Sequence, residues 1–476
     1  MKIYHWIWMA SVALSGAGTA SAADGWVNLF NGRDLTGWVQ KGGKAKYSVE
    51  DGAIVGRSVL KTPNSFLCTA REYGDFILEY DFKVDPSLNS GVQIRSKCFD
   101  KPHVYNLKNK KTRKVSAGRV HGYQIEIDPD PKRARWWSAG IYDEARRGWL
   151  CPGSLGGNGA EFTKQGASCF HQGGWNHVRV EAIGPSIRTW INGVPRASIR
   201  DDLTPKGLIG LQVHGIGGNK GHEGLQVAWT NLRIKEIKPG TGANSLTADD
   251  IADGWCLLWD GKTSDGWRGV KLRDFPEKGW KMDGGELVVQ ASNGKEAQAG
   301  GDIVTRRRFA RFEIQLDFKI TPGANSGIKY FCQPNLDPIT GSGAKAKKGS
   351  AIGLEYQILD DERHPDAKKG RDGNRTIASL YDLIAADASK APNPPGQWNH
   401  ARIVTDGTRV EHWLNGKKVL EYQRGSKEFE KLVAQSKYRN IPGFGEWPDG
   451  HILLQDHGNE VHFRNIKVRV PPAPKK

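Results

Sequence analysis

The stretch DFKVDPSLNSGVQIR, residues 81–95, returns as DFKITPGANSGIKYF at residues 317–331. In both copies apolar and polar residues alternate around an Asn-Ser-Gly sequence, which is the pattern of a β-strand with one buried face. The offset of roughly 220 to 240 residues is too long for a solenoid repeat and suits a duplicated domain. The pair therefore predicts two homologous β-domains.

Other segments repeat in the same order. They are GWVNLFNGRDLTGWVQK (25–41) with GWCLLWDGKTSDGWRGV (254–270), GYQIEID (122–128) with EYQILDD (355–361), GGWNHVRV with GQWNHARI, WINGV with WLNGK, and GLIGLQVHG with GHILLQDHG. We predict domain 1 at residues 24–238 and domain 2 at 254–471, with a Gly-, Thr-, Ala- and Asp-rich linker at 239–253 and a tail at 472–476.

Within each repeat the segments are short, alternating and rich in Val, Ile, Trp and Phe, and clusters of Gly, Asn, Asp and Pro separate them. Asn192-Gly193 and Asn415-Gly416 each lie between two such segments, where Asn-Gly favours the tight primed turn of a hairpin. The fold class is therefore all-β, with two tandem antiparallel β-sandwiches. One amphipathic helix is predicted at residues 426–438.

The N-terminus combines Lys2, a short apolar run and an Ala-Ser-Ala sequence at 20–22, which predicts a secretory signal peptide at residues 1–22. We expect a periplasmic or extracellular protein without a transmembrane segment. Export permits disulfides among the six cysteines, and Cys151 with Cys169 is the pairing to test first. Without CxxC pairs, structural zinc is not indicated.

The formal net charge is +17, and basic residues concentrate in loops such as KNKKTRK (108–114) and AKAKK (344–348). Nucleic-acid binding would favour a basic helix or a basic sheet with stacking aromatics, and export also argues against it. The charge is therefore interpreted as solvated loops, with attraction to acidic envelope or polysaccharide as the alternative.

These motifs carry a family resemblance. The motifs are LFNGRDLTGW, DFK followed by NSG, YQI followed by acids, WNH, HWLNG and the closing GHILLQDHGNEVHFRNIKV. With them the chain resembles the 3-keto-disaccharide hydrolase domain family over nearly all of both halves. The resemblance implies a concanavalin-like or laminin-G-like jelly roll, export, and cleavage of glycosides whose glucose is oxidised at carbon 3. Domain 1 matches less closely, with Gly122 in the place of Glu355 and Thr189 in that of His412.

The implied chemistry needs few groups. A ketone at carbon 3 acidifies the carbon 2 proton, so a base can remove it, the enolate can expel the oxygen at carbon 1, and water can add later. A base, a group that stabilises the enolate and an acid suffice. Strand alternation predicts one polar groove in domain 2, with these catalytic candidates: Glu355, His412, His457 and Lys329. Gln357 and Gln455 are the predicted substrate-binding residues there.

Two alternatives stay open for these residues. Glu355, His412 and His457 could instead ligate a divalent metal that polarises the ketone, although no short HxH or HExxH spacing supports it. Each residue could also be ordinary sheet surface, because exposed faces of sandwiches are polar.

In domain 1 the corresponding surface carries the following substrate-binding candidates: Arg95, Gln124, Glu126, Asp128, Gln212 and His214. Nearby, the run at 134–150 supplies Trp136, Trp137, Tyr142 and Trp149, which could stack on sugar rings or belong to the core. Domain 1 is therefore a second catalytic unit or a binding module.

The leading function is cleavage of 3-keto glycosides by elimination and hydration, with a separate sugar 3-dehydrogenase acting upstream. A non-catalytic lectin and an envelope adhesion protein are the alternatives, since jelly rolls host all three.

Overall fold

The computed structural model describes residues 25–107, 111–295, 300–334 and 350–471. The predicted signal peptide, the tail, the 344–348 loop and part of the 108–114 loop lie outside these ranges. Within them no helix combines the length and apolar character that crossing a membrane requires.

Domain 1 consists of two stacked antiparallel sheets. Its elements are β1 (Trp26–Asn28), β2 (Trp38–Gly42), β3 (Lys46–Glu50), β4 (Ala53–Arg57), β5 (Ser65–Thr69), β6 (Phe76–Val84), β7 (Ser90–Lys97), β8 (His103–Asn106), β9 (Thr112–Val115), β10 (His121–Ile127), β11 (Ile141–Glu144), β12 (Gly148–Cys151), α1 (Gly159–Cys169), β13 (Asn176–Ile183), β14 (Ser186–Ile191), β15 (Val194–Arg200), β16 (Leu208–Val213) and β17 (Gln226–Glu236). One sheet runs β15-β14-β13-β6-β17-β4-β3, with β1 beside β17; the other runs β12-β11-β10-β7-β16-β5-β2.

Domain 2 repeats this plan with fewer strands in one sheet. Its elements are α2 (Ala248–Ala252), in the predicted linker, then β18 (Cys256–Leu257), β19 (Trp267–Gly269), β20 (Trp280–Asp283), β21 (Glu286–Val289), β22 (Ile303–Thr305), β23 (Phe312–Ile320), β24 (Asn325–Gln333), β25 (Ile352–Leu359), β26 (Trp398–Thr405), β27 (Arg409–Leu414), β28 (Lys417–Gln423), α3 (Lys427–Ala434), β29 (His451–Leu454) and β30 (Val461–Arg469). The sheets run β20-β21-β30-β23-β26-β27-β28, with β18 beside β30, and β19-β22-β29-β24-β25.

The predicted fold class is confirmed: the chain is all-β and forms two tandem antiparallel β-sandwiches. Both Asn-Gly turns have positive φ at both residues, 50° and 80° at Asn192-Gly193 and 48° and 82° at Asn415-Gly416, as the primed hairpin turn requires. The predicted helix at 426–438 is present as α3, capped by Ser426 and packed through the buried Phe429.

The core of each domain lies between its two sheets because every second residue points inward. In domain 2, Ile328 and Tyr330 of β24 and Tyr356 of β25 are buried against Phe318 and Ile403 of the opposite sheet. Each large side chain buried in this way contributes about 1.5–3 kcal/mol. The same alternation turns the intervening residues of β24 and β25 to the other side of their sheet.

The two domains contact each other directly. Trp190 of domain 1 packs edge-on against Phe309 of domain 2, and its indole N–H donates to the Arg308 carbonyl oxygen. Beside them Arg307 forms a buried ion pair with Glu181. The domain contact is therefore both apolar and ionic.

All six cysteines lie in described ranges and are unpaired. The Cys151–Cys169 pairing, the first to test, is therefore not formed. Both residues are instead buried members of the domain 1 core.

Candidate functional site

The domain 2 polar face is the outward side of the β24–β25–β29 sheet, defined by Asp302, Lys329, Glu355, Gln357 and Gln455. All five side chains are at least nine-tenths buried although they point away from the core. Charged and amide groups are seldom covered so completely unless they are paired or functional. Strand alternation therefore placed Lys329, Glu355, Gln357 and Gln455 on one surface, as predicted.

Strand register brings the two charged candidates together. Lys329 on β24 lies directly opposite Glu355 on β25, and Gly327 lies opposite Gln357. A Cβ atom at Gly327 would stand 2.5 Å from Glu355 Oε1. The glycine of the Asn-Ser-Gly sequence is thus required because the Glu355 carboxylate folds across the neighbouring strand.

Asp302 holds the Lys329 ammonium. Asp302 Oδ2 lies 3.6 Å from Lys329 Nζ and also accepts from the Ser350 hydroxyl at 3.0 Å. Its Oδ1 accepts the Asp456 backbone N–H at 2.9 Å. This buried counter-ion stabilises the charged form of Lys329 beside Glu355.

Two amide oxygens on the polar face have no hydrogen-bond partner within the described residues. The Gln357 side-chain N–H donates to Asn325 Oδ1 at 3.0 Å, which leaves Gln357 Oε1 buried and unpaired, and Gln455 Oε1 is in the same state. Leaving such an acceptor unsatisfied costs about 1–3 kcal/mol. Both oxygens are therefore suited to accept hydrogen bonds from ligand hydroxyls.

A loop and a long insertion border Glu355. The Tyr381 backbone N–H donates to the Glu355 carbonyl oxygen at 3.0 Å, and the Lys437 ammonium lies 4.1 Å from the centre of the Tyr381 ring. The Glu355 carboxylate interacts electrostatically with Lys437 and with the buried Tyr438. Burial and the hydrogen bond to Asp366 raise the pKa of Tyr381, so it stays a phenol.

His457 lies at the far end of this face. It lies three residues beyond Leu454, the last residue of β29. Its ring is 5.9 Å from that of His364, and this neighbour together with burial lowers the pKa of His364. The predicted catalytic role of His457 stays a prediction.

His412 is not on the polar face. It lies on β27 in the opposite sheet, is fully buried in the core, and its Nδ1 donates to the Ala378 carbonyl oxygen at 2.9 Å while Nε2 accepts from the Tyr330 hydroxyl. The prediction failed because His412 shares its strand face with Val410 and Leu414, both core residues. In domain 1, Thr189 makes the equivalent bond to the Ala139 carbonyl oxygen.

Replacing His412 with Ala should therefore destabilise the fold rather than remove chemistry. A cavity and an unsatisfied carbonyl should lower the free energy of unfolding by about 3–5 kcal/mol at pH 7.5, measured by urea denaturation. Burial lowers the pKa of His412 to about 4, below the unfolded value near 6.5. The contribution of native His412 to the free energy of unfolding is complete above pH 6.5 and is lost progressively as the pH falls toward 4. The difference in this free energy between the native protein and His412→Ala should therefore be smaller at pH 4.5.

His412→Thr is the matched control, because threonine at the equivalent place in domain 1 keeps the bond to the carbonyl. It should be more stable than His412→Ala. A His412→Ala protein of unchanged stability but more than a hundredfold lower turnover would contradict the structural role.

The metal hypothesis also fails in its stated form. Glu355, His412 and His457 cannot share an ion, because His412 is enclosed in the core. In the described part of the chain, no group of three or more His, Cys, Asp or Glu side chains is placed to hold one.

The polar faces of the two domains correspond residue by residue in the sheet. This correspondence differs by two residues from the one that alignment of the repeated YQI motifs suggests. Asn89 bonds Glu126 as Asn325 bonds Gln357, and Gly91 faces Glu126 as Gly327 faces Gln357. Gln124, rather than Gly122, is therefore the counterpart of Glu355. The YQI motifs align in sequence but differ by two residues in the sheet.

The domain 1 polar face is defined by Gln93, Gln124, Glu126 and Gln212. By strand register these are the counterparts of Lys329, Glu355, Gln357 and Gln455. Thr69 and Thr305 are equivalent, because the hydroxyl of each donates to the carbonyl oxygen two residues later and accepts a backbone N–H from the neighbouring strand. Phe66 and Asp302 each lie three residues before these threonines and are therefore counterparts. Domain 1 thus lacks the lysine, its aspartate and the opposing glutamate together.

The other domain 1 candidates have separate outcomes. Asp128 continues the polar face and pairs with Arg135, with Oδ2 2.9 Å from the guanidinium. His214 lies beyond Gln212, half-buried, with Nδ1 donating to the Gly215 carbonyl oxygen, and burial lowers its pKa. Both residues directly follow the ends of their strands, and their substrate-binding roles stay predictions.

Arg95 is not on this face. It has a φ of 46° at a bulge, which reverses the alternation, and its guanidinium is buried against the Gly74 and Gly184 carbonyl oxygens and Asp75. Arg95, a predicted substrate-binding residue, therefore belongs to a structural network instead. Phe331 has the same conformation at the equivalent bulge, with a φ of 51°.

Sequence reasoning missed Asp302, Tyr381, Lys437 and Tyr438. The sequence did contain a signal for Tyr381: AGIYD at 139–143 and ASLYD at 378–382 repeat each other, so Tyr142 and Tyr381 occupy equivalent positions. The segment that carries Lys437 and Tyr438 follows α3 and has no counterpart in domain 1, so no repeat could mark it.

Each domain is thus a β-sandwich with a covered polar face, which is ionic in domain 2 and rich in amides in domain 1. The sequence profile of the 3-keto-alpha-glucoside-1,2-lyase-like domain matches residues 25–235 and 254–469. The chain belongs to this family, with two copies of its domain.

The chain is also similar to individual known proteins. A 3-keto-disaccharide hydrolase of Bacteroides thetaiotaomicron is 38% identical over 250 residues, 48% of this chain and 82% of that protein. A solved structure from Parabacteroides distasonis, described as a glycosyl hydrolase, is 30% identical and covers 48% of this chain and 100% of its own, with a TM-score of 0.41. A carbohydrate-binding module from Bacillus subtilis is 15% identical over 43% of this chain and 98% of its own, with a TM-score of 0.24.

Proposed function

We propose that domain 2 cleaves glycosides of 3-keto glucose by elimination followed by hydration. The observation that carries the proposal is the pairing of Glu355 and Lys329 on adjacent strands of a buried polar face. A carboxylate and an ammonium on facing residues of one surface can serve as base and enolate stabiliser.

In the first step Glu355 takes the proton from carbon 2 of the 3-keto sugar, and Lys329 stabilises the negative charge that develops on the carbon 3 oxygen. The enolate then re-forms the ketone, makes the double bond between carbons 1 and 2, and breaks the bond from carbon 1 to the leaving oxygen. Lys437 is the candidate acid that gives a proton to that oxygen, because it interacts with Glu355 at the border of the site. Gln357 and Gln455 accept from sugar hydroxyls.

In the second step water adds to carbon 1 and a proton that has exchanged with solvent is delivered to carbon 2, which yields free 3-keto glucose. Atoms balance as one water consumed for one glycosidic bond broken. No covalent sugar–enzyme bond is needed.

An ordinary glycosidase mechanism fits this face less well. It uses two carboxyl groups on either side of the scissile bond. Asp302, the other acid of the defined face, is engaged by Lys329, Ser350 and the Asp456 backbone. Glu355 is thus the acid available to the sugar.

The test incubates the purified full-length protein with 3-keto trehalose and, in parallel, with trehalose, each with and without a chelator. The expected result is glucose release from 3-keto trehalose alone. Equal release from trehalose, or none from either, would overturn the proposal, and loss of release with chelator would replace Lys329 by a metal as the enolate stabiliser.

Export by the N-terminal segment and supply of substrate by a separate sugar 3-dehydrogenase complete the proposal. The ketone at carbon 3 must be made by an oxidation, and the chemistry assigned to domain 2 moves protons without oxidising carbon. Fractionation of producing cells, with the protein expected outside the cytoplasm, tests the first part.

A further inference from the structure

The polar face of domain 1 is a continuous chain of hydrogen bonds between neutral amides and one acid. The Gln93 side-chain N–H donates to Gln124 Oε1 at 2.7 Å, and the Gln124 N–H donates to Glu126 Oε2 at 2.9 Å. The Asn89 side-chain N–H donates to Glu126 Oε1 at 2.7 Å. Both oxygens of the acid are therefore occupied, and the groups are fixed in position.

One amide side chain on this face, that of Gln212, takes no part in these hydrogen bonds. Gln212 is fully buried, and neither Oε1 nor Nε2 has a partner within the described residues. It lies next to Gly91 on the neighbouring strand, over which the Gln124 side chain folds. A buried primary amide with an unused donor and an unused acceptor matches the hydroxyls of a sugar, each of which both donates and accepts.

An aromatic ledge borders the same face. Tyr142 on β11 lies directly opposite Gln124, and Trp149 on β12 lies opposite Tyr142. The rings of Tyr142 and Trp149 are 5.3 Å apart, and those of Trp149 and Trp137 are 4.6 Å apart. All three residues are partly rather than fully buried, so some ring surface remains for a ligand.

The charges around the ledge cancel. The Arg135 guanidinium lies 5.1 Å from the Trp137 ring centre and is paired with Asp128. Burial raises the pKa of Glu126 to about 7, with Asp128 adding to the rise and Arg135, Asn89 and Gln124 opposing it. A ligand therefore meets amides, aromatic rings and little net charge.

We propose that domain 1 is a binding site for intact, unoxidised neutral pyranosides, with the ledge under the apolar face of the ring and Gln212 bonded to its hydroxyls. The site does not cleave its ligand, because Gln93, Gln124 and Phe66 stand where domain 2 has Lys329, Glu355 and Asp302. This proposal depends on the proposed function of domain 2 only for the choice of sugars as the class of ligand. Binding there would hold domain 2 near a glycan and raise its local substrate concentration.

The experiment titrates the full-length protein with trehalose and with cellobiose by calorimetry. Trp149→Ala should weaken binding of at least one of them by about tenfold or more, because stacked ring area is lost. Gln212→Leu should also weaken it, and should fold normally, since replacing an unsatisfied buried amide by an apolar side chain of similar size removes a penalty. Trp175→Ala, at an exposed tryptophan away from this face, should bind as the native protein does.

Glu355→Gln separates this proposal from the one for domain 2. That variant should still bind the unoxidised sugar, whatever its turnover of 3-keto trehalose. Three results would overturn the binding site: neither sugar binds the native protein, binding persists in both Trp149→Ala and Gln212→Leu, or binding is lost in Glu355→Gln.

Discussion

Glu355→Gln should lower kcat on 3-keto trehalose by about 10²- to 10⁴-fold, the usual contribution of a positioned general base. The amide has nearly the same shape as the carboxylate and cannot take the carbon 2 proton. Steady-state kinetics on the purified variant measure the effect. KM should change much less than kcat, because Gln357 and Gln455 still accept from the sugar hydroxyls.

The variant is expected to fold because domain 1 already carries Gln124 at the equivalent place, packed over Gly91 as Glu355 packs over Gly327. Glu362→Gln is the matched control, since the Glu362 side chain is 83% exposed in a neighbouring loop, and it should keep native kinetics. Turnover by Glu355→Gln within threefold of the native rate would remove Glu355 from the mechanism.

Lys329→Gln should lower kcat/KM by about 10²- to 10³-fold, the range found when one group that stabilises an oxyanion is removed. Here too the substitution installs the domain 1 residue, Gln93. It also leaves the buried Asp302 without its cation, which should cost on the order of 3 kcal/mol of stability. Activity and urea denaturation must therefore be measured together.

The double variant Lys329→Gln/Asp302→Asn separates these two effects. It removes both charges of the buried pair, so stability should return toward the native value while activity stays low. Recovery of activity along with stability would mean that Lys329 acts only by supporting the fold.

The sequence predicted features that depend on short-range alternation and on repeats. The sandwich fold, both Asn-Gly turns, and the shared face of Lys329, Glu355 and Gln455 follow from residues that alternate in regular strands. A bulge breaks that rule at Arg95, and the two-residue shift that pairs Gln124 with Glu355 depends on the register between strands, which one strand's sequence does not contain.

Other parts of the site depend on tertiary contacts. His412 shares its strand face with the core residues Val410 and Leu414. A polar residue in a sheet predicts an exposed face, but a buried histidine needs only a donor and an acceptor nearby. Asp302 and Lys437 reach the site from separate segments of the chain. Neither carries a motif that distinguishes it from other charged residues.

The central claim, that domain 2 removes the carbon 2 proton, is tested most directly by turnover of 3-keto trehalose in deuterium oxide. The account predicts one deuterium at carbon 2 of the 3-keto glucose product, measured by mass spectrometry and proton NMR. 3-Keto glucose incubated with Glu355→Gln corrects for spontaneous exchange. A product that keeps hydrogen at carbon 2 would indicate direct displacement at carbon 1 and would contradict the account.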